Sequence, residues 1–177
     1  MLDAIVEPLK LWAEGVILQT GYWGVALLMF LDSCNIPIPS EVIMPFGGIM
    51  AAEGKLTFVG VGLAGSFGTV LGSILNYWIG AWLGKEGLIK YGRYILIRRS
   101  EVEHGDQWFH KHGAIVTLWG RFIPLVRTFI SLPAGIYRMN FPLFTLYAIL
   151  GATPWCFAWA WVGFKMGENW EELKKYW

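Results

Sequence analysis

Charge is scarce in this chain. Only 15% of its 177 residues are Asp, Glu, Lys or Arg, and 14 basic against 13 acidic groups leave a net charge of +1. Soluble domains run nearer a quarter charged, so an ordinary water-soluble domain is excluded. The absence of a basic excess removes the electrostatic footprint of a nucleic-acid binder, and none is expected as a partner. Disorder needs low hydrophobicity, whereas 55% of this chain is hydrophobic. Cysteine is nearly absent. Cys34 and Cys156 lie in apolar surroundings and form neither a disulfide framework nor a CxxC pair. They read as small buried hydrophobes. His104, His110 and His112 cluster among Glu101, Glu103 and Asp106, but their spacing fits no compact ligand set, so neither metal nor cofactor is expected. No G-x-S-x-G or H-E-x-x-H pattern appears, and the chain is not expected to be an enzyme. A basic leader with a small-residue cleavage site is not visible, so residue 1 is expected in the mature protein.

What is plentiful is apolar, aromatic and small. The chain has 11 Trp and 22 Gly, with a mean hydropathy of +0.47. Trp and Tyr favour membrane interfaces, and Gly is frequent in membrane helices. A bilayer core of about 30 Å takes about 20 helical residues. Two uncharged runs suffice, Val61 to Leu83 with 23 residues and Met139 to Phe164 with 26. Val16 to Leu31, with 16, is marginal. Val42 to Ala52 and Thr128 to Tyr137, with 11 and 10, are too short to cross. Each of the last two contains Pro and Gly, which suits re-entrant hairpins that return to the face they entered from.

The expected fold is an all-α integral membrane domain over residues 1–177. Residues 1–15 read as an amphipathic interfacial helix, because Ala4, Ile5, Leu9, Leu11 and Trp12 fall mostly on one face. Residues 16–57 hold a first helix and re-entrant hairpin, and 58–84 a transmembrane helix. A charged interfacial segment at 85–112 leads to a second re-entrant hairpin at 113–138. A second transmembrane helix at 139–167 and a charged tail at 168–177 complete the chain. Pro37, Pro39, Pro45, Pro124 and Pro133 are the expected hairpin-breaking residues. The halves also resemble each other. Phe58 precedes Gly65 by seven residues and Phe144 precedes Gly151 by seven, while Gly80 and Gly84 match Gly163 and Gly167. A hairpin keeps its side and a crossing changes it, so the repeat is expected to be inverted, a transporter signature. Gly68, Gly72, Gly80 and Gly84 recur at multiples of four, a small-residue face for packing a crossing helix on a hairpin, or for a homodimer.

Four charges fall in or beside the short hairpins: Asp32, Glu41, Arg121 and Arg127. At membrane depth each costs about 2.5–3.5 kcal/mol. Unpaired, the four would cost roughly 10–14 kcal/mol, comparable to the net stability of a domain. They are therefore paired, in a water-filled cavity, or not in the membrane at all. Six residues apart on an unbroken helix, Arg121 and Arg127 would point about 120° apart. Pro124 between them can kink the chain and let them converge. Paired guanidiniums suit bidentate recognition of phosphate. The expected substrate is a lipid with an anionic phosphate headgroup bound by Arg121 and Arg127, with Asp32 and Glu41 coupling its movement to H⁺ or Na⁺. The bland alternative is two buried salt bridges that staple the hairpins.

The stretches IPIPSEVIMPFGG, GTVLGSILNYWIGAWLGKEG and HGAIVTLWGRFIPLVRTFISLPAGIYRMNFPLF, with the following GATPW, resemble the DedA family, also called the SNARE-associated Golgi protein or VTT-domain family. The likeness covers about residues 28–165, and G-R-F-I-P-x-V-R-T-x(4)-P-A-G is long and specific. It implies two opposed re-entrant hairpins and lipid flipping or scrambling. For bacterial members it implies undecaprenyl phosphate or phosphatidylethanolamine as substrate and the inner membrane as location. The family's essential arginines map onto Arg121 and Arg127, and its hairpin acids onto Asp32 and Glu41. Three departures stand out. The first acid, usually Glu, is Asp32; the acid often following Gly72 is Ser73; the Arg often following Gly80 is Ala81.

Overall fold

The computed structural model describes residues 15–34, 36, 40–92, 111–113 and 115–168. The expected amphipathic helix at 1–15, Pro37 and Pro39, His104 and His110, most of the charged segment and the charged tail lie outside the described residues. The described residues are almost all helical, joined by turns and short connections, with no strand among them. Residues 15–20 are helical and lead into α1, Tyr22–Ser33. Next come α2, Ser40–Ala52, and α3, Phe58–Gly92. A 3₁₀ turn, Gly120–Phe122, precedes the short helices α4, Pro124–Phe129, and α5, Ser131–Ile136. The last helix is α6, Phe141–Glu168.

α3 and α6 are the two helices long and apolar enough to cross a membrane. α3 is interrupted at Gly84, where φ of 62° and ψ of −177° leave the helical region. Its 26 residues from Phe58 to Leu83 span about 39 Å at a rise of 1.5 Å per residue. Outward-facing Leu63, Phe67, Leu71, Leu75, Trp78 and Trp82 form an apolar stripe along it. Such a surface is costly in water and suited to lipid. Both helices start on a side-chain cap. The Thr57 hydroxyl accepts from the Gly60 amide at 3.2 Å, and Asn140 Oδ1 accepts from the Leu143 amide at 3.1 Å. The caps align Phe58 with Phe141 rather than with Phe144. The seven-residue Phe–Gly spacing noted in the sequence therefore does not share the register of the helix starts.

The chain divides into two compact units, residues 1–69 with 152–177, and residues 70–151. Both long helices are shared between them. In the first unit Ile17, Val25, Leu28, Met29, Ile43, Met44, Val61, Cys156 and Ala160 form the core. In the second, Tyr77, Ile130, Ala134 and Phe144 do so. Each unit packs a short helix on a long one through glycine. In the first, a methyl group at Gly48 would overlap the Ala160 carbonyl and the Phe164 amide, and one at Gly163 would overlap the Pro45 carbonyl. In the second, a methyl at Gly135 would overlap the Tyr77 carbonyl and the Ala81 amide, and one at Gly80 the Leu132 carbonyl. No side chain fits between these backbones. Part of the small-residue face is thus used within the chain: Gly80 receives α5, and Gly68 lies against the Ala26 backbone in α1.

One expectation about the hairpins needs correction. Pro45 does not break the first short helix, because α2 continues through it. Proline there removes one helical bond, the one to the carbonyl four residues back. Pro124 opens α4 at its first turn, where its missing N–H has no helical partner to lose. Pro133 lies within α5, one turn after the α4–α5 junction.

Candidate functional site

Arg121 is the centre of the second unit's polar interior. It sits in the 3₁₀ turn, only 3% exposed, and the extended Ile123 (φ −100°, ψ 119°) separates it from α4. That break keeps Arg121 and Arg127 off a common straight helix. Arg127, in the last turn of α4, is also buried, and its charge acts on Arg121.

The groups that directly contact the Arg121 guanidinium are neutral. One terminal nitrogen donates to the Ser73 hydroxyl at 3.1 Å and the other to the Ser131 hydroxyl at 3.4 Å. The guanidinium carbon lies 5.3 Å from the centroid of the Phe144 ring, a cation–π arrangement. Nε is buried with no hydrogen-bond partner among the described residues. The aliphatic stem of Arg121 rests against Gly151 of α6. Among the described residues no carboxylate pairs with Arg121. The Arg121 guanidinium thus sits on hydroxyls and an aromatic ring. Such a seat is short of negative charge, and a phosphate is well matched to the guanidinium fork.

The sequence pointed to Arg121 and Arg127 but missed most of their surroundings. Ser73 read as a lost accessory charge, yet it is only 2% exposed and its hydroxyl accepts from Arg121 directly. Ser131, Phe144 and Gly151 carried no signal beyond their place in the repeat.

The acids lie in the first unit. Asp32, near the end of α1, is 7% exposed and follows the buried Met29 by three residues, with the buried Ser33 next in the chain. Glu41 lies in the first turn of α2 and is half-buried. A carboxylate in the first turn is favoured by the helix dipole.

Comparison with known proteins shows the family to which the chain belongs. The family model described as the VTT domain matches residues 38–165, most of the chain. The chain belongs to the VTT-domain, or DedA, family. Among similar proteins, Undecaprenyl phosphate transporter A of Bacillus subtilis is 35% identical over 173 residues, 98% of this chain and 83% of that protein. A protein of Lactococcus lactis called alkaline phosphatase-like is 37% identical over 163 residues, 89% of this chain and 76% of its own length. Protein DedA of Escherichia coli is 25% identical over 160 residues, 86% of this chain and 73% of its own. No solved structure matches. With two apolar crossing helices and this membership, this VTT-domain chain is an integral membrane protein.

Proposed function

We propose that this protein is a lipid transporter that moves undecaprenyl phosphate, or another lipid with a phosphate headgroup, between the leaflets of a bacterial inner membrane. The observation that carries the reading is the Arg121 seat: a buried guanidinium held by Ser73, Ser131 and Phe144, with Nε unpaired among the described residues. A phosphate there would supply the missing charge, and Arg127 would share it. The lipid tail stays in the hydrocarbon.

Re-entrant hairpins in an inverted repeat fit this role. Their support is the recurrence of one contact. Gly48 on Ala160 and Phe164 corresponds to Gly135 on Tyr77 and Ala81, and Gly163 on Pro45 to Gly80 on Leu132. The short-helix partners lie 87 residues apart and the long-helix partners 83 apart throughout. Each short helix therefore meets the crossing helix of the opposite half. Asp32 and Glu41 take the coupling role, loading and releasing H⁺ or Na⁺ during alternating access. The name of the transporter from Bacillus subtilis favours this substrate.

The test is reconstitution in proteoliposomes with labelled undecaprenyl phosphate and, separately, phosphatidylethanolamine, with and without a pH gradient. The wild-type protein should move the phosphate lipid between leaflets unaltered. Arg121→Ala and Arg127→Ala should each abolish movement while remaining folded, and full movement by either would sink the phosphate seat. Release of inorganic phosphate would instead make the protein an enzyme, and no change in the lipid's leaflet or chemistry would leave a scaffold.

A further inference from the structure

The helices α2 and α5 end on the same backbone turn but use different residues to make it. At the end of α2 the Gly54 amide donates to the Ala51 carbonyl at 3.1 Å and the Lys55 amide to Met50 at 3.0 Å. At the end of α5 the Arg138 amide donates to Gly135 and the Met139 amide to Ala134, both at 2.9 Å. This pair of bonds is the Schellman motif, and it needs a left-handed residue at its corner. Gly54 takes it with φ of 74°, and Arg138 with φ of 50°. Arg138 is the only non-glycine residue with positive φ among the described residues. A Cβ is disfavoured in that region, and glycine is the usual occupant. A strained residue where glycine would serve points to a use for its side chain.

That side chain lines an open cavity of about 680 Å³ in the second unit, with Trp82, Lys85, Glu86 and Tyr137. Among the described residues the lining carries two cations, Arg138 and Lys85, and one carboxylate, Glu86. Trp82 is 88% exposed at its edge, as an interfacial tryptophan should be. Gly84 interrupts α3 there, and a Cβ on it would meet nothing within 4 Å. Arg121 is not part of this lining.

We propose that this cavity is a second, peripheral site, in which Arg138 and Lys85 bind the phosphodiester of an anionic glycerophospholipid at the membrane surface. Arginine supplies the planar fork and lysine a point charge. Glu86 in the same lining disfavours a headgroup carrying more than one negative charge. Trp82 and Leu83 give the lipid's glycerol and first acyl carbons an apolar wall, which a free anion would not use. The site does not depend on the transport reading.

Native mass spectrometry of the full chain in detergent tests it, with short-chain phosphatidylglycerol, short-chain phosphatidylcholine and inorganic phosphate as separate probes. Phosphatidylglycerol should bind in preference to both others. Arg138→Gly, Arg138→Asn and Lys85→Ala should each weaken it about tenfold, the loss of one charge-assisted hydrogen bond. Arg138→Gly should also melt at or above the wild-type temperature, because glycine relieves the corner. Wild-type binding by both Arg138 variants would overturn the site. Equal binding of phosphatidylcholine or inorganic phosphate would overturn its assignment to an anionic lipid. This readout is binding alone, so a failure of lipid transport leaves it intact.

Discussion

Gly151 in α6 lies directly against the aliphatic stem of Arg121, so that an added methyl would overlap its Cβ, Cγ and Cδ. The glycine makes the space in which the buried guanidinium reaches Ser73 and Ser131. Gly151→Ala should therefore move Arg121 without unfolding the protein. Alanine favours the helix by about 0.5–1 kcal/mol, which offsets part of an overpacking cost of about 1–3 kcal/mol. Melting temperature should change little while lipid movement falls towards that of Arg121→Ala. Wild-type transport by this variant would show that the position of the stem is immaterial.

Gly48 and Gly135 are a different case. Each faces the backbone of a long helix, which cannot swing aside as a side chain can. Gly48→Ala and Gly135→Ala should each destabilise by more than about 3 kcal/mol, the upper end of ordinary overpacking. If the two contacts are equivalent, the losses should be similar. Thermal melting in detergent measures both, and a mild effect at one site alone would break the equivalence.

Ser73→Ala removes the acceptor for one buried terminal nitrogen of Arg121. A buried polar group left unsatisfied costs about 1–3 kcal/mol, more when charged. The variant should melt lower than the wild type, and Ser73→Thr, which keeps a hydroxyl, should recover most of the loss. Equal melting of Ser73→Ala and wild type would mean that the hydrogen bond adds nothing.

Asp32→Asn and Glu41→Gln remove the two acids of the first unit while preserving their shape. If these groups load and release protons, each variant should flatten the pH dependence of lipid movement in proteoliposomes. A profile unchanged in both would leave the acids without a coupling role.

The crossing helices were legible because apolar length alone sets them apart. Gly80 and Gly163 were legible as a repeated pair, since tight backbone packing tolerates only a small residue. Pro45 was misread. Proline's cost in a helix interior is only a prior, and tertiary packing can override it, as it does inside α2. The partners of Arg121 were beyond reach for another reason. Ser73 is 48 residues away, and nothing local to either residue announces a bond between them. A serine on an apolar helix looks the same in sequence when it faces lipid and when it holds an arginine.

Hydroxyls and an aromatic ring can orient the Arg121 guanidinium, but they cannot cancel its charge. On the transport reading proposed above, a phosphate lipid bound there would offset that charge. A ligand bound only by the folded protein raises the free energy of unfolding, by about 2.7 kcal/mol at a hundredfold excess over Kd. Abundance of the lipid would then govern how long each copy of the protein survives, as well as how fast it works.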